Sequence, residues 1–220
     1  MNRYTVHSAE GEFEPGSDGL VLRNRLGITS AQEMDEVELG LLAQLYEDVL
    51  MTSLPDDVLT VEDIKTWHRR WLSHVYVWAG QERSVNIGKG GFAFAASGQI
   101  PRLLTTFEQD CLRRWTPCDG LSLEVLVEAI AVSHVELILI HPFREGNGRL
   151  ARLLADVMAV QAGREPLDYS AWETHKAQYI AAIHQGVSMN WEPMKHWVRV
   201  AMGLAANGPT PPAGGGKNDV

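Results

Sequence analysis

Apolar positions recur along most of this chain with the spacing of helices rather than strands. Met34, Val37, Leu41, Leu45 and Val49 lie on one helical side, and Ser30 with Glu33 forms a capping box ahead of them, which predicts a helix to about Leu50. Its other face is acidic and is expected to be solvated. Thr60 with Asp63 opens a second helix in which Ile64, Trp67, Trp71 and Leu72 share a side. Pro101 suits the first turn of a third, running toward Trp115, and Ser122 caps a long apolar helix that ends near Ile140. Leu150, Leu153, Leu154, Val157 and Met158 then form an apolar stripe that Gly163 stops. Ser170 with Glu173 predicts another capped helix, and Asn190 with Pro193 a last one reaching about Ala206.

The helical pattern breaks between Gly80 and Pro101. There "RSVNIGKGGFAFAASG" offers two short alternating runs around Gly88, Lys89, Gly90 and Gly91, which predict a hairpin. Phe92 and Phe94 alternate with alanines, so one face of it can pack on the core. The end of the chain, "NGPTPPAGGGKNDV", is rich in Pro and Gly and is expected to be disordered.

Composition narrows the picture. A chain of 220 residues supports one domain with its own core. A formal net charge of -9 argues against direct binding of nucleic acid, which relies on clustered Lys and Arg. Cys111 and Cys118 are too few for a disulfide framework or a zinc knuckle, so two reduced thiols in a cytoplasmic protein are expected. The first residues have no apolar signal-peptide core, and Glu128, His134 and Glu136 interrupt the most apolar stretch, so neither export nor a membrane span is expected. His68, His74, His134, His175 and His184 lack metal-ligand spacing and read as core or surface residues.

One polar run interrupts the apolar centre: "HPFREGNGRLAR", His141 to Arg152. It joins two buried helices, so Gly146, Asn147 and Gly148 fall at a helix N-terminus, where unpaired main-chain N–H groups attract anions. Alternating glycines let such amides close around phosphate oxygens. Arg149 and Arg152 share a helix face and add forked donors, enough positive potential for a di- or triphosphate. Glu145 beside them suits a divalent cation such as Mg2+, which takes one or two carboxylates plus phosphate oxygens and water. His141 is the natural general base, and Phe143 a structural anchor.

The same run resembles the signature of the Fic family, HPF-x-[D/E]-GNGR-x-x-R, with every specified position filled. "PGSDGLVLRNRLGIT" resembles the family's N-terminal entry, and "VYVWAGQERSVNIGKGGFAFA" the segment leading through its flap. The resemblance implies an all-α Fic fold, a helical bundle with a small β-hairpin flap over the active site. The domain is expected at 14–206, with its flap about 83–98 and its motif at 141–152, between an extension at 1–13 and a tail at 207–220.

The implied activity is transfer of AMP from MgATP to a Tyr, Thr or Ser hydroxyl of a target protein. By position His141 would deprotonate that hydroxyl and Glu145 would hold Mg2+. Gly146, Asn147 and Gly148 would bind the α- and β-phosphates, Arg149 the β-phosphate and Arg152 the γ-phosphate. Lys89, Gly90, Gly91 and Phe92 would dock the target segment by strand addition. Gly148 favours adenylylation, since the related Doc kinases resemble the pattern with Lys there.

The resemblance also implies inhibition by a helix with an [S/T]-x-x-x-E-[G/N] motif, whose Glu pairs with Arg152. Ser8 to Glu12 and Thr29 to Glu33 have the spacing, but Phe13 and Met34 follow where Gly or Asn belongs. The expectation is therefore a toxin held by a separate antitoxin that supplies the glutamate, with a gyrase- or topoisomerase-type target at the level of the family. Two alternatives stand beside it: another nucleotide-containing donor, and a nucleotide-binding scaffold without catalysis.

Overall fold

The computed structural model describes residues 10–205. Ser8 and the expected tail at 207–220 lie outside the described residues. The helices run α1 (Ala31–Tyr46), α2 (Val61–Leu72), α3 (Ile100–Phe107), α4 (Arg113–Trp115), α5 (Leu123–Ile140), α6 (Asn147–Gln161), α7 (Ser170–Thr174), α8 (Lys176–Gln185) and α9 (Glu192–Ala201), with one hairpin, β1 (Gly88–Lys89) and β2 (Phe92–Ala93). Wide π-helical turns at Glu47–Thr52 and Glu108–Leu112 extend α1 and join α3 to α4.

Helix α5 is the axis of the molecule. It is apolar nearly all round, as a helix must be when neighbours cover every side, and it packs against α3, α6, α8 and α9. Helix α6 follows it after six residues, so the polar run is held between the two most buried helices of the core. Helix α2 carries Ile64, Trp67, Trp71 and Leu72 inward onto α1 and α6, as their spacing predicts. The Thr60–Asp63 capping box is complete, and Ser30 and Ser122 accept the main-chain N–H of Glu33 and Val125. In the hairpin Gly88 faces Ala93 and Lys89 faces Phe92 across a Gly90–Gly91 turn in which both residues have positive φ.

Three expectations are corrected. The segment after Ser170 is two helices broken at His175, and Ser170 does not cap; the Asp168 carboxylate accepts its N–H instead. The last helix ends at Ala201 because Gly203, at φ 71, closes it: Gly203 and Leu204 donate back to Val200 and Arg199. Asn190 does not start that helix, and its side chain bonds Gln185. On the apolar side of α1 Glu38 is 3% exposed, whereas Glu33, Asp35 and Glu36 of the other face are exposed.

Candidate active site

Helix α5 ends where His141 takes the left-handed conformation, φ 51, with its N–H on the Leu137 carbonyl. Left-handed backbone is uncommon for a residue with a Cβ, and the surroundings hold it there. The His141 Nδ1 lies 3.0 Å from the Ile138 carbonyl oxygen. A carbonyl only accepts, so Nδ1 carries the proton and Nε2 keeps its lone pair for a substrate. Phe94 of the flap stacks on the imidazole at 3.7 Å between ring centroids. Burial pulls the His141 pKa down to about 4; Arg83 and Lys89 push the same way, against the Ile138 carbonyl and Glu145. The ring is therefore neutral at pH 7, the state a general base requires.

The loop that follows is clamped from inside. Asn147, 2% exposed, accepts the Phe143 N–H and donates to the Phe143 carbonyl, both at 2.8 Å. Its side chain is thus a brace, and the expected phosphate-binding role narrows to its main-chain N–H at the start of α6. Phe143 is buried and stacks on His68 at 4.0 Å. His68 accepts the Gly80 N–H at Nδ1, so its Nε2 carries the proton that binds the Glu145 carbonyl. Burial lowers its pKa to about 4 and keeps it neutral. Gly146, at φ 83, can carry no side chain, because a Cβ would lie 2.5 Å from the Trp71 ring.

A second brace was not anticipated. Arg83, 2% exposed, donates to the carbonyls of Val85 and Ala95, on either side of the hairpin, and to those of His141 and Ile140. One guanidinium thereby ties the hairpin to the main chain of His141. The flap itself places Lys89, Gly90 and Gly91 in solvent, whereas Phe92 stacks on His184 of α8 at 4.3 Å. Of the expected docking residues, Phe92 is thus engaged within the chain.

At the N-terminus of α6 Gly148 is exposed, with no atom within 4 Å of where a Cβ would sit, so the main chain there is approachable. The Glu145 carboxylate, 46% exposed, accepts the Gly146 N–H at 2.9 Å and lies 3.7 Å from Arg149. One half-exposed carboxylate beside a helix N-terminus fits Mg2+ bound mainly through phosphates and water. Among the described residues no group of three or more His, Cys, Asp or Glu could hold a metal alone.

Each motif arginine is paired with a carboxylate of the same chain. Arg149 donates to Glu38 at 2.6 Å and lies over the Trp71 ring at 4.8 Å. Arg152 donates to Glu173 at 2.5 Å and lies over the rings of Tyr169 and Trp172. Glu173, expected as a capping residue, thus turns its carboxylate to Arg152. It lies outside the inhibitory motif, since Tyr169 and Thr174 occupy the positions of Ser/Thr and Gly/Asn.

Comparison with known proteins agrees with this geometry. The model of the Fic/DOC family matches residues 58–159. A probable protein adenylyltransferase, y4lH, of Sinorhizobium fredii is 30% identical over 179 residues, which is 81% of this chain and 90% of that protein. The protein adenylyltransferase Fic of Aedes aegypti is 30% identical over 76% of this chain, but this chain spans only about a third of that longer relative, 33%. The fold matches that of a VirB-translocated effector, BepC, of Bartonella tribocorum, solved with bound AMPPNP, at a TM-score of 0.70 and 21% identity over 89% of this chain and 97% of that one. Likeness of this extent to the Sinorhizobium protein, around a fully occupied HPF-x-[D/E]-GNGR-x-x-R turn, makes this chain a member of the Fic/DOC family.

Proposed function

We propose that the chain transfers AMP from ATP to a hydroxyl side chain of another protein, with His141 as the general base. Its family and the names of its relatives make it an enzyme of the nucleotidyltransferase class. The observation that carries the reading is the tautomer of His141: Nδ1 is committed to Ile138, which leaves Nε2 to accept a proton beside a helix N-terminus and two arginines. In the reaction the target's hydroxyl oxygen bonds the α-phosphorus as its proton passes to Nε2. The bond from the α-phosphorus to the bridging oxygen breaks, and pyrophosphate leaves. Main-chain N–H groups at Gly146, Asn147 and Gly148 face the phosphates, Arg149 holds the β- and Arg152 the γ-phosphate. Mg2+ held by Glu145 would neutralise phosphate charge.

For the nucleotide to reach these donors, Glu145 must release the Gly146 N–H and Glu173 must yield Arg152. An antitoxin glutamate of the expected kind would likewise have to displace Glu173, and the toxin reading rests on finding such a partner. The deciding experiment incubates the protein and His141→Ala with Mg2+, a bacterial lysate and ATP labelled on the α- or the γ-phosphate. Label on a protein from α-ATP alone, lost in the variant, supports adenylylation. Label from γ-ATP alone makes the protein a kinase, and label from neither redirects attention to donors such as UTP or CDP-choline, or to a scaffold role.

A further inference from the structure

Glu38 is a charged residue on the core stripe of α1, between Met34 and Leu45, where an apolar side chain is the rule. It is held on three counts. Its carboxylate accepts the Tyr76 hydroxyl at 2.7 Å and Arg149 at 2.6 Å, and its main-chain carbonyl accepts the Trp71 indole N–H at 2.9 Å. Burial and the adjacent carboxylate push the Tyr76 phenol up, so it stays protonated and donates. Trp71 also supplies the ring beneath the Arg149 guanidinium and the wall that excludes a side chain from Gly146.

We infer that Glu38 is the positioning residue of Arg149, a fixed carboxylate that sets where the guanidinium meets a phosphate. The inference rests on the reading of Arg149 as a phosphate ligand. A competitor for the phosphate would need to leave, and Glu38 cannot: it is 3% exposed, on a regular helix, and bonded to two neighbours besides Arg149. Arg149 is 28% exposed, so its fork still reaches solvent while one end is anchored. A planar fork anchored at one end presents its other donors in a set direction, which is how a charged pair acts as a template.

The test is a double-mutant cycle read by calorimetric binding of Mg2+ with AMPPNP to the full chain. Glu38→Gln keeps the shape and removes the charge; it is expected to weaken binding about tenfold or more in the native background, and less than about twofold in Arg149→Ala. Tyr76→Phe, which only loosens Glu38, should give a smaller loss of the same sign. In NMR the Arg149 side-chain N–H signals should be resolved in the native protein and averaged in Glu38→Gln, a signature that general loss of stability does not produce. Unchanged or tighter binding in Glu38→Gln, or an equal loss in both backgrounds, overturns the inference. Native affinity in Arg149→Ala overturns the nucleotide reading instead, and the inference with it.

Discussion

His141 should work as a base at pH values where an ordinary histidine is spent. An imidazole with a pKa of ~6.5 is only about 9% neutral at pH 5.5, so transfer would fall about tenfold between pH 7.5 and 5.5. With the pKa lowered to about 4, the ring stays almost wholly neutral and the same interval should cost less than a factor of about 1.2. The perturbation that tests the cause is Phe94→Ala. Phe94 covers one face of the ring, and burial is the first cause of the depression, so removing it should move the pKa up toward the ordinary value.

The assay has two arms. The pH dependence of kcat/KM for ATP reports the free enzyme, measured against the protein that the labelling experiment identifies. NMR titration of the histidine Cε1–H signals reports protonation without turnover, and near-UV circular dichroism at pH 5.5 checks that the fold persists. A native profile with its midpoint near 6.5, or a Phe94→Ala midpoint that coincides with the native one, would contradict a base kept neutral by burial.

Glu173→Gln should tighten nucleotide binding only modestly. The Glu173 side chain is 54% exposed, and an exposed pair contributes about 0–1 kcal/mol, so calorimetry should find a gain of no more than about fivefold; a hundredfold gain would show that the exposed-pair estimate is wrong. Gly146→Ala should cost more than ~1 kcal/mol in denaturant unfolding, because φ 83 and the Trp71 ring both reject a Cβ; a neutral change would contradict that geometry. Stability should fall on acidification. His68, His134 and His141, all with pKa lowered to about 4, are neutral when folded but protonate when unfolded, so their contribution is lost as pH drops from ~6.5 to about 4, roughly 2 kcal/mol each by pH 5. Asp156, raised to about 6, opposes this by roughly 1 kcal/mol, since its folded form takes up a proton first. Unfolding curves at pH 7 and 5 should therefore differ by about 4–5 kcal/mol, and coincident curves would rule out neutral buried histidines.

Elements with a local signature were legible in the sequence. A capping serine or threonine, an apolar stripe and a stopping glycine placed α1, α2, α5 and α6 to within a few residues, and the motif brought its residues into one turn because that turn is contiguous. What was missed depends on contacts between distant segments. The Glu173 carboxylate fits a capping box by spacing, but the Ser170 N–H goes to Asp168 and Arg152 is close enough to claim the Glu173 charge. Arg83 reads as a loop arginine until the hairpin folds back and gives it four carbonyls. Only Glu38 left a local trace, as an acid four residues from Met34 on the apolar side of α1.

The contrast between Glu38 and Glu173 carries an argument about how the site is built. Both carboxylates bind a motif arginine at about the same distance, yet one is 3% exposed and the other 54%. Breaking a buried pair strands a charge in low dielectric, whereas water readily replaces an exposed partner. Arg149 is thus part of the frame, joined through Glu38 to Tyr76 and through Trp71 to the Gly146 turn. Arg152 rests on aromatic rings with a carboxylate that can be exchanged for another anion at little cost. A triphosphate entering the site as proposed would therefore find one arginine preset and the other exchangeable, and a competing carboxylate would meet least resistance at Arg152.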